Sequence, residues 1–105
     1  MTRGEIWLVN LDPTVGSEIR KTRPCVVVSP AEMHDYLRTV FVAPMTTAGR
    51  EAPFRIGVNH GGRKGLILLD QVRAVDKARL VKNLGIVSAK TLTSALRTLQ
   101  EVFAE

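Results

Sequence analysis

Phe54-Arg55-Ile56-Gly57-Val58, His60-Gly61-Gly62-Arg63-Lys64-Gly65 and Leu66-Ile67-Leu68-Leu69-Asp70-Gln71-Val72-Arg73-Ala74-Val75 follow one another in the stretch that sets the fold class. The first segment alternates at period two, which sends its large apolar side chains to one face of a strand. The glycine-rich middle reads as a turn, and the third segment is rich in residues that suit a pleated sheet. An antiparallel hairpin is predicted, with residues 66–75 running on as one strand.

Working outward, Glu5-Ile6-Trp7-Leu8-Val9-Asn10-Leu11 is another strand, stopped at Asp12-Pro13 because proline removes a ladder donor and restricts the residue before it. Thr14 to Thr22 holds Gly16 and no apolar period, and reads as a long loop. Pro24-Cys25-Val26-Val27-Val28-Ser29 reads as a buried strand ended by Pro30, Ala31 to Arg38 as a short helical turn, and Thr39 to Ala43 as a strand stopped by Pro44. A polar loop from Thr46 to Ala52 leads into the hairpin. Beyond the hairpin, a short strand around Asn83 to Val87 precedes Ser88, a good N-cap. Leu92, Ala95, Leu96, Leu99 and Phe103 then recur at helical spacing. Many short strands closed by one helix predict a mainly-β fold: a curled antiparallel sheet or partly open barrel, with a C-terminal α-helix packed on it. At 105 residues, without repeat or linker, residues 1–105 form one domain.

Hydrophobic residues make up 45% and charged residues 24% of the chain, an ordinary globular balance that argues against disorder. The single cysteine, Cys25, lies in an apolar run, so no internal disulfide or cysteine metal cluster is available and a core role is expected. Met1 to Glu5 lacks the apolar stretch of a signal peptide and no run reaches membrane-spanning length, so a cytoplasmic protein without membrane association is expected. Fifteen Lys and Arg against ten Asp and Glu give a net charge of +5, which favours a polyanionic partner, either nucleic acid or an acidic protein.

Five sequence features in order narrow the choice. Arg3-Gly4-Glu5-Ile6-Trp7, Asp12-Pro13-Thr14-Val15-Gly16-Ser17-Glu18, Lys21-Thr22-Arg23-Pro24, Pro44-Met45-Thr46-Thr47, and Leu69-Asp70-Gln71-Val72-Arg73 with Asp76-Lys77-Ala78-Arg79-Leu80 together resemble the MazF/PemK family of toxin endoribonucleases. The resemblance covers nearly the whole domain. It implies an SH3-like barrel that forms a homodimer and binds single-stranded RNA in a groove at the dimer interface. It implies sequence-specific cleavage without metal or cofactor, leaving a 2′,3′-cyclic phosphate and a 5′-hydroxyl, and silencing by an acidic, MazE-like antitoxin. It also implies that Arg23 and Thr46 are the catalytic pair and that Ser17, Glu18 and Gln71 line the same site.

Those residue types suit that chemistry. The RNA's own 2′-hydroxyl is the nucleophile, so the protein must help remove a proton, stabilise a pentacovalent phosphate and protonate the leaving oxygen. The planar guanidinium of Arg23 donates two parallel hydrogen bonds to phosphate oxygens. With a pKa of roughly 12.5 or more it makes a poor general base, so charge stabilisation is its expected role. Thr46 supplies a hydroxyl donor, and Glu18 is the expected proton acceptor. Arg20, Lys21, Thr47 and Arg50 are expected to touch RNA, the cations contacting phosphate for affinity rather than base choice.

Each residue also has a plain structural use: a surface ion pair for Arg23, a strand-end cap for Thr46, a solvated loop charge for Glu18, a sheet hydrogen bond for Gln71. His34 and His60 invite comparison with a histidine acid/base pair, but both fall in polar segments and are expected to be exposed loop residues outside the family motifs. Gly61 to Gly65 is a hairpin turn and no phosphate loop, because Lys64 is followed by Gly65 and a strand. Trp7, inside an apolar strand, is expected in the core instead of serving as a base-stacking platform.

Two other functions compete. A gyrase poison resembling CcdB would share the fold but would not need the Arg23 and Thr46 pair, and Val102-Phe103-Ala104-Glu105 lacks the Trp-Gly-Ile ending associated with such poisons. A non-catalytic SH3-like module would dock an acidic peptide on its basic surface.

Overall fold

A computed structural model describes residues 1–105. Strands β1 (Glu5–Asn10) and β2 (Thr22–Val27) are followed by a short helix α1 (Ala31–Tyr36) and strand β3 (Thr39–Thr46). Strands β4 (Arg55–His60), β5 (Arg63–Leu68), β6 (Arg73–Asp76) and β7 (Leu80–Ile86) precede the terminal helix α2 (Ala89–Val102). The strands form one curled antiparallel sheet, a partly open barrel, in the order β4-β5-β3-β2-β1-β7, with β6 paired to β3. No helix is long and apolar enough to cross a membrane.

The run Cys25-Val26-Val27-Val28 is continuously apolar because the sheet is covered on both faces. Val26 and Val28 join Ile6, Ala43, Met45, Ile67 and Leu69 in the core beneath α2, sealed by Ala95 and the half-buried Leu92, Leu96 and Leu99. Cys25 and Val27 point the other way, into a second cluster with Val9, Leu11, Val40, Val42 and Val75. Trp7 is half-buried against this second cluster, and its indole N–H donates to Glu5 Oε1 at 2.9 Å. The expected N-cap holds: the Ser88 hydroxyl accepts from the Thr91 N–H at 3.1 Å, and α2 starts at the next residue.

Several boundaries differ from expectation. β3 runs through Pro44 to Thr46 instead of stopping before the proline. Val28 N–H donates to the Phe41 carbonyl, so Cys25 and Pro44, three residues further along, face each other as a non-hydrogen-bonded pair. On its other edge β3 changes neighbour, from β6 along Thr39–Val42 to β5 along Met45–Thr46, so the missing N–H of Pro44 falls in the gap.

Residues 66–75 are not one strand. The register of β5 would set Val42 opposite Asp70, whereas β6 sets it opposite Arg73, leaving three surplus residues taken up by a 3-10 turn at Leu69–Gln71. β7 is longer than expected, from Leu80, and its mixed composition suits an exposed sheet edge.

Candidate functional site

The hairpin between β4 and β5 is tighter than its glycine-rich sequence required. Only Gly61 and Gly62 form the turn, with φ of 60° and 75°, a left-handed pair that glycine adopts without a Cβ penalty. His60 and Arg63 are therefore directly opposed and leave the same face of the hairpin. Behind them on that face come Val58 opposite Gly65 and then Ile56 opposite Ile67, which reaches the core.

The face of this hairpin forms one wall of a cleft of about 250 Å³. β2 contributes Arg23 and Pro24, the end of β3 contributes Met45, Thr46 and the following Thr47, and the hairpin contributes Val58, His60, Arg63 and Gly65. Arg23 Nε donates to the Arg20 carbonyl at 3.2 Å, which ties the guanidinium to the preceding loop. Thr46 Oγ1 accepts from the Ala48 N–H at 3.1 Å, the strand-end cap that its position allows, and the hydroxyl keeps its own proton to donate. The cleft is cationic, with two guanidiniums and no carboxylate among its lining residues. Its size and charge fit a phosphate with part of a nucleotide better than a large apolar ligand.

Glu18 and Gln71 sit elsewhere, in a second depression of about 200 Å³ that also includes Leu11, Pro44, Asp70 and Arg73. Glu18 Oε1 accepts from the Val15 N–H at 2.6 Å, and Gln71 Oε1 accepts from the Ile19 N–H at 2.9 Å. Asp12 Oδ1 takes the Lys21 N–H at 2.9 Å, so the loop carrying Ser17, Arg20 and Lys21 is tied at several points. Ser17, Arg20, Lys21 and Arg50 are exposed and line neither cavity, although the Arg50 carbonyl accepts from Arg55. Asp70 holds Arg55 through two hydrogen bonds of 3.0 Å, and this pairing raises the guanidinium's affinity for its proton.

His34, expected in an exposed turn, is buried. Its Nδ1 lies 3.2 Å from the Met1 carbonyl, which only accepts, so Nδ1 donates and Nε2 takes the Ser29 hydroxyl proton at 2.6 Å. Ser29 Oγ in turn accepts from the Phe41 N–H at 3.0 Å. His34 is thus a structural residue, and the paired-histidine arrangement does not form in the cleft. His60, expected as an exposed loop residue, and Arg63, expected in a hairpin turn with at most a contact to RNA or an acidic partner, both line the cleft. The signal was period-two alternation continued through a two-residue turn, which places Ile56, Val58 and His60 on one face.

No group of three or more His, Cys, Asp or Glu side chains is arranged so that it could hold a metal ion. Burial pushes the Cys25 thiol up to about 12, with Arg73 opposing slightly. Burial alone would raise the Glu5 carboxyl, but hydrogen bonds from Thr2 and Trp7 hold it below the usual carboxylate range.

A family profile described as PemK-like, MazF-like toxin of type II toxin-antitoxin system matches residues 2–103. Endoribonuclease PemK of Escherichia coli is 39% identical over 108 residues, covering 97% of this chain and 81% of the relative. Endoribonuclease toxin MazF of Escherichia coli strain K12 is 33% identical over 90 residues, covering 85% and 81%. The crystal structure of MazF from Deinococcus radiodurans shares the fold with a TM-score of 0.88 at 24% identity, covering 100% of this chain and 97% of that one. A MazE-MazF structure from the same organism gives 0.80 at 22% identity, covering 99% and 95%.

Proposed function

The chain belongs to the PemK-like, MazF-like toxin family of type II toxin-antitoxin systems, and from that premise we propose that it is an endoribonuclease that cuts single-stranded RNA at specific short sequences. Cleavage proceeds without metal or cofactor and leaves a 2′,3′-cyclic phosphate and a 5′-hydroxyl. The observation that carries this function is the meeting of Arg23 and Thr46, far apart in sequence, in one cationic cleft. The relatives named endoribonucleases at 33% and 39% identity support it.

The Arg23 guanidinium grips the non-bridging oxygens of the scissile phosphate and offsets the charge that builds in the pentacovalent state. Thr46 donates its free hydroxyl proton in a hydrogen bond to the phosphate or the leaving oxygen, held in place by the Ala48 N–H. The 2′-hydroxyl attacks, so no protein nucleophile is needed. Thr47 lines the cleft beside the phosphate, while Ser17, Arg20, Lys21 and Arg50 add contacts along the RNA, the cations giving affinity through phosphate. Gln71 acts by anchoring the loop at Ile19. Glu18 and His60 are the two candidates for accepting the 2′-hydroxyl proton.

An acidic antitoxin similar to MazE would cover this cleft, a partnership supported by the MazE-MazF structures sharing the fold. Homodimerisation is supported by the apolar side chains of Val81, Ile86 and Phe103, which are largely exposed on the isolated chain. The cytoplasm, where mRNA is translated, is the proposed location.

The test is incubation of wild type, Arg23→Ala and Thr46→Ala with a long single-stranded RNA in EDTA, followed by mapping of the product ends. Discrete cuts ending in cyclic phosphate, from wild type alone, are expected. Intact RNA with folded wild type would remove the enzyme and direct attention to gyrase or peptide binding.

A further inference from the structure

Removing a proton from the attacking 2′-hydroxyl requires an acceptor, and the cleft that holds Arg23 and Thr46 has no carboxylate. Its polar side chains are the guanidiniums of Arg23 and Arg63, the hydroxyls of Thr46 and Thr47, and the imidazole of His60. A guanidinium stays charged at any working pH and a threonine hydroxyl is a very weak base, whereas an imidazole exchanges a proton near neutrality. Glu18 lines the other depression, with its carboxylate engaged by the Val15 N–H.

We propose, resting on the ribonuclease function above, that His60 is the general base of this chain and that Arg63 beside it is a second phosphate-binding cation. The hairpin supplies the positioning: a two-residue turn fixes His60 against Arg63 at the end of a paired ladder anchored in the core by Ile56 and Ile67. The ring is half-buried, and neither nitrogen is committed to the fold, in contrast to both nitrogens of His34.

Neutral His60 takes the 2′-hydroxyl proton as the O2′–P bond forms and the P–O5′ bond breaks. The departing 5′-oxygen takes a proton from bulk water, and the hydroxide produced is neutralised by the proton held on His60. No proton is gained or lost over the cycle. The charged groups facing the imidazole are Arg23 from β2 and Arg63 from β5, with the Thr46 and Thr47 hydroxyls between. Cleavage therefore falls on the acid side, where a protonated ring has no lone pair to accept with.

The experiment measures single-turnover cleavage of an RNA with one mapped cut site, from about pH 5 to 9, which brackets imidazole titration. Wild type, His60→Gln, His60→Gly and Glu18→Gln are compared. His60→Gln is expected to slow cleavage about 10²- to 10⁴-fold and to flatten the acid limb. The same variant is expected to bind an uncleavable RNA, 2′-deoxy at the cut site, within about twofold of wild type, since a base acts only in the transition state. Added imidazole is expected to restore part of the rate of His60→Gly. A wild-type rate or an unchanged acid limb in His60→Gln overturns the assignment, as does loss of RNA binding in proportion to rate. Loss of the limb in Glu18→Gln alone gives the role to Glu18. If wild type leaves the RNA intact, the ribonuclease function falls first and the base with it; if wild type and His60 variants cut alike, only the base falls.

Discussion

Thr46 is closed in by two glycines from different parts of the chain. A Cβ at Gly65 would lie 2.7 Å from the Thr46 carbonyl oxygen, and one at Gly49 would lie 2.8 Å from the Thr46 methyl. The first contact is with backbone, so relief requires moving the end of β3, which carries Thr46 and leads into Thr47. Gly65→Ala is expected to cost about 1–3 kcal/mol in a urea melt, as overpacking does, and to reduce RNA cleavage at least tenfold, a barrier change of about 1.4 kcal/mol. Gly57→Ala, where a Cβ meets nothing within 4 Å, is the matched control and is expected to cleave normally. Arg23 and Thr46 were named through the family resemblance, since each taken alone also suits an ordinary structural use, and the fold brings both to one cleft. His60 was not legible in the sequence, since its direction depends on whether the turn spans two residues or six. His34 was misjudged for a related reason: its burial depends on Met1 and Ser29, which local polarity does not reveal.

Among the elements, β1 depends on an N-terminal clasp. Glu5 accepts from the Thr2 N–H and hydroxyl at 2.9 and 2.7 Å, from Trp7 at 2.9 Å, and from Asn83 of β7 at 3.2 Å. Its carboxyl is held below the usual range despite the opposing effect of burial. Folding therefore gains stability from ionised Glu5 above its unfolded value, near pH 4.3, and loses it as pH falls through the lower folded value. Glu5→Gln is expected to unfold at lower urea than wild type at neutral pH, with the gap closing below about pH 4; a gap that persists in acid would assign the effect to geometry instead of charge. Strand and helix types were largely readable, because burial on two faces gives solid apolar runs and burial on one gives a helical stripe. The end of β3 and the break before β6 were not, because both are set by which strand lies alongside, a fact absent from any local window.

For the whole molecule, the sheet with a core on each face leaves Cys25 sealed from solvent, its thiol pushed up to about 12. An aromatic disulfide reagent at about pH 8 is expected to miss the native thiol and to label it fully in denaturant, so labelling in dilute buffer reports global opening. The raised value sets the sign of a pH effect: relative to Cys25→Ala, wild type loses stability above the unfolded thiol value of about 8.5, as the unfolded thiol ionises and the folded one does not. Rapid labelling of native protein would contradict the buried placement. Net charge and composition pointed toward a polyanion without choosing it; the ordered motifs and the cationic cleft support the RNA proposed above.

The turn at Leu69–Gln71 has a further consequence, one of parity. Three is an odd number, so the turn exchanges inside for outside between β5 and β6: Ile67 faces the core beneath α2, while Val75, eight residues on, faces the opposite cluster. Along an uninterrupted strand those two side chains would share a face. Chain-length changes in this turn are therefore read modulo two: removal of a single residue would put Asp76, and addition of one would put Ala74, in the buried place of Val75, whereas a change of two keeps each side chain on its own side.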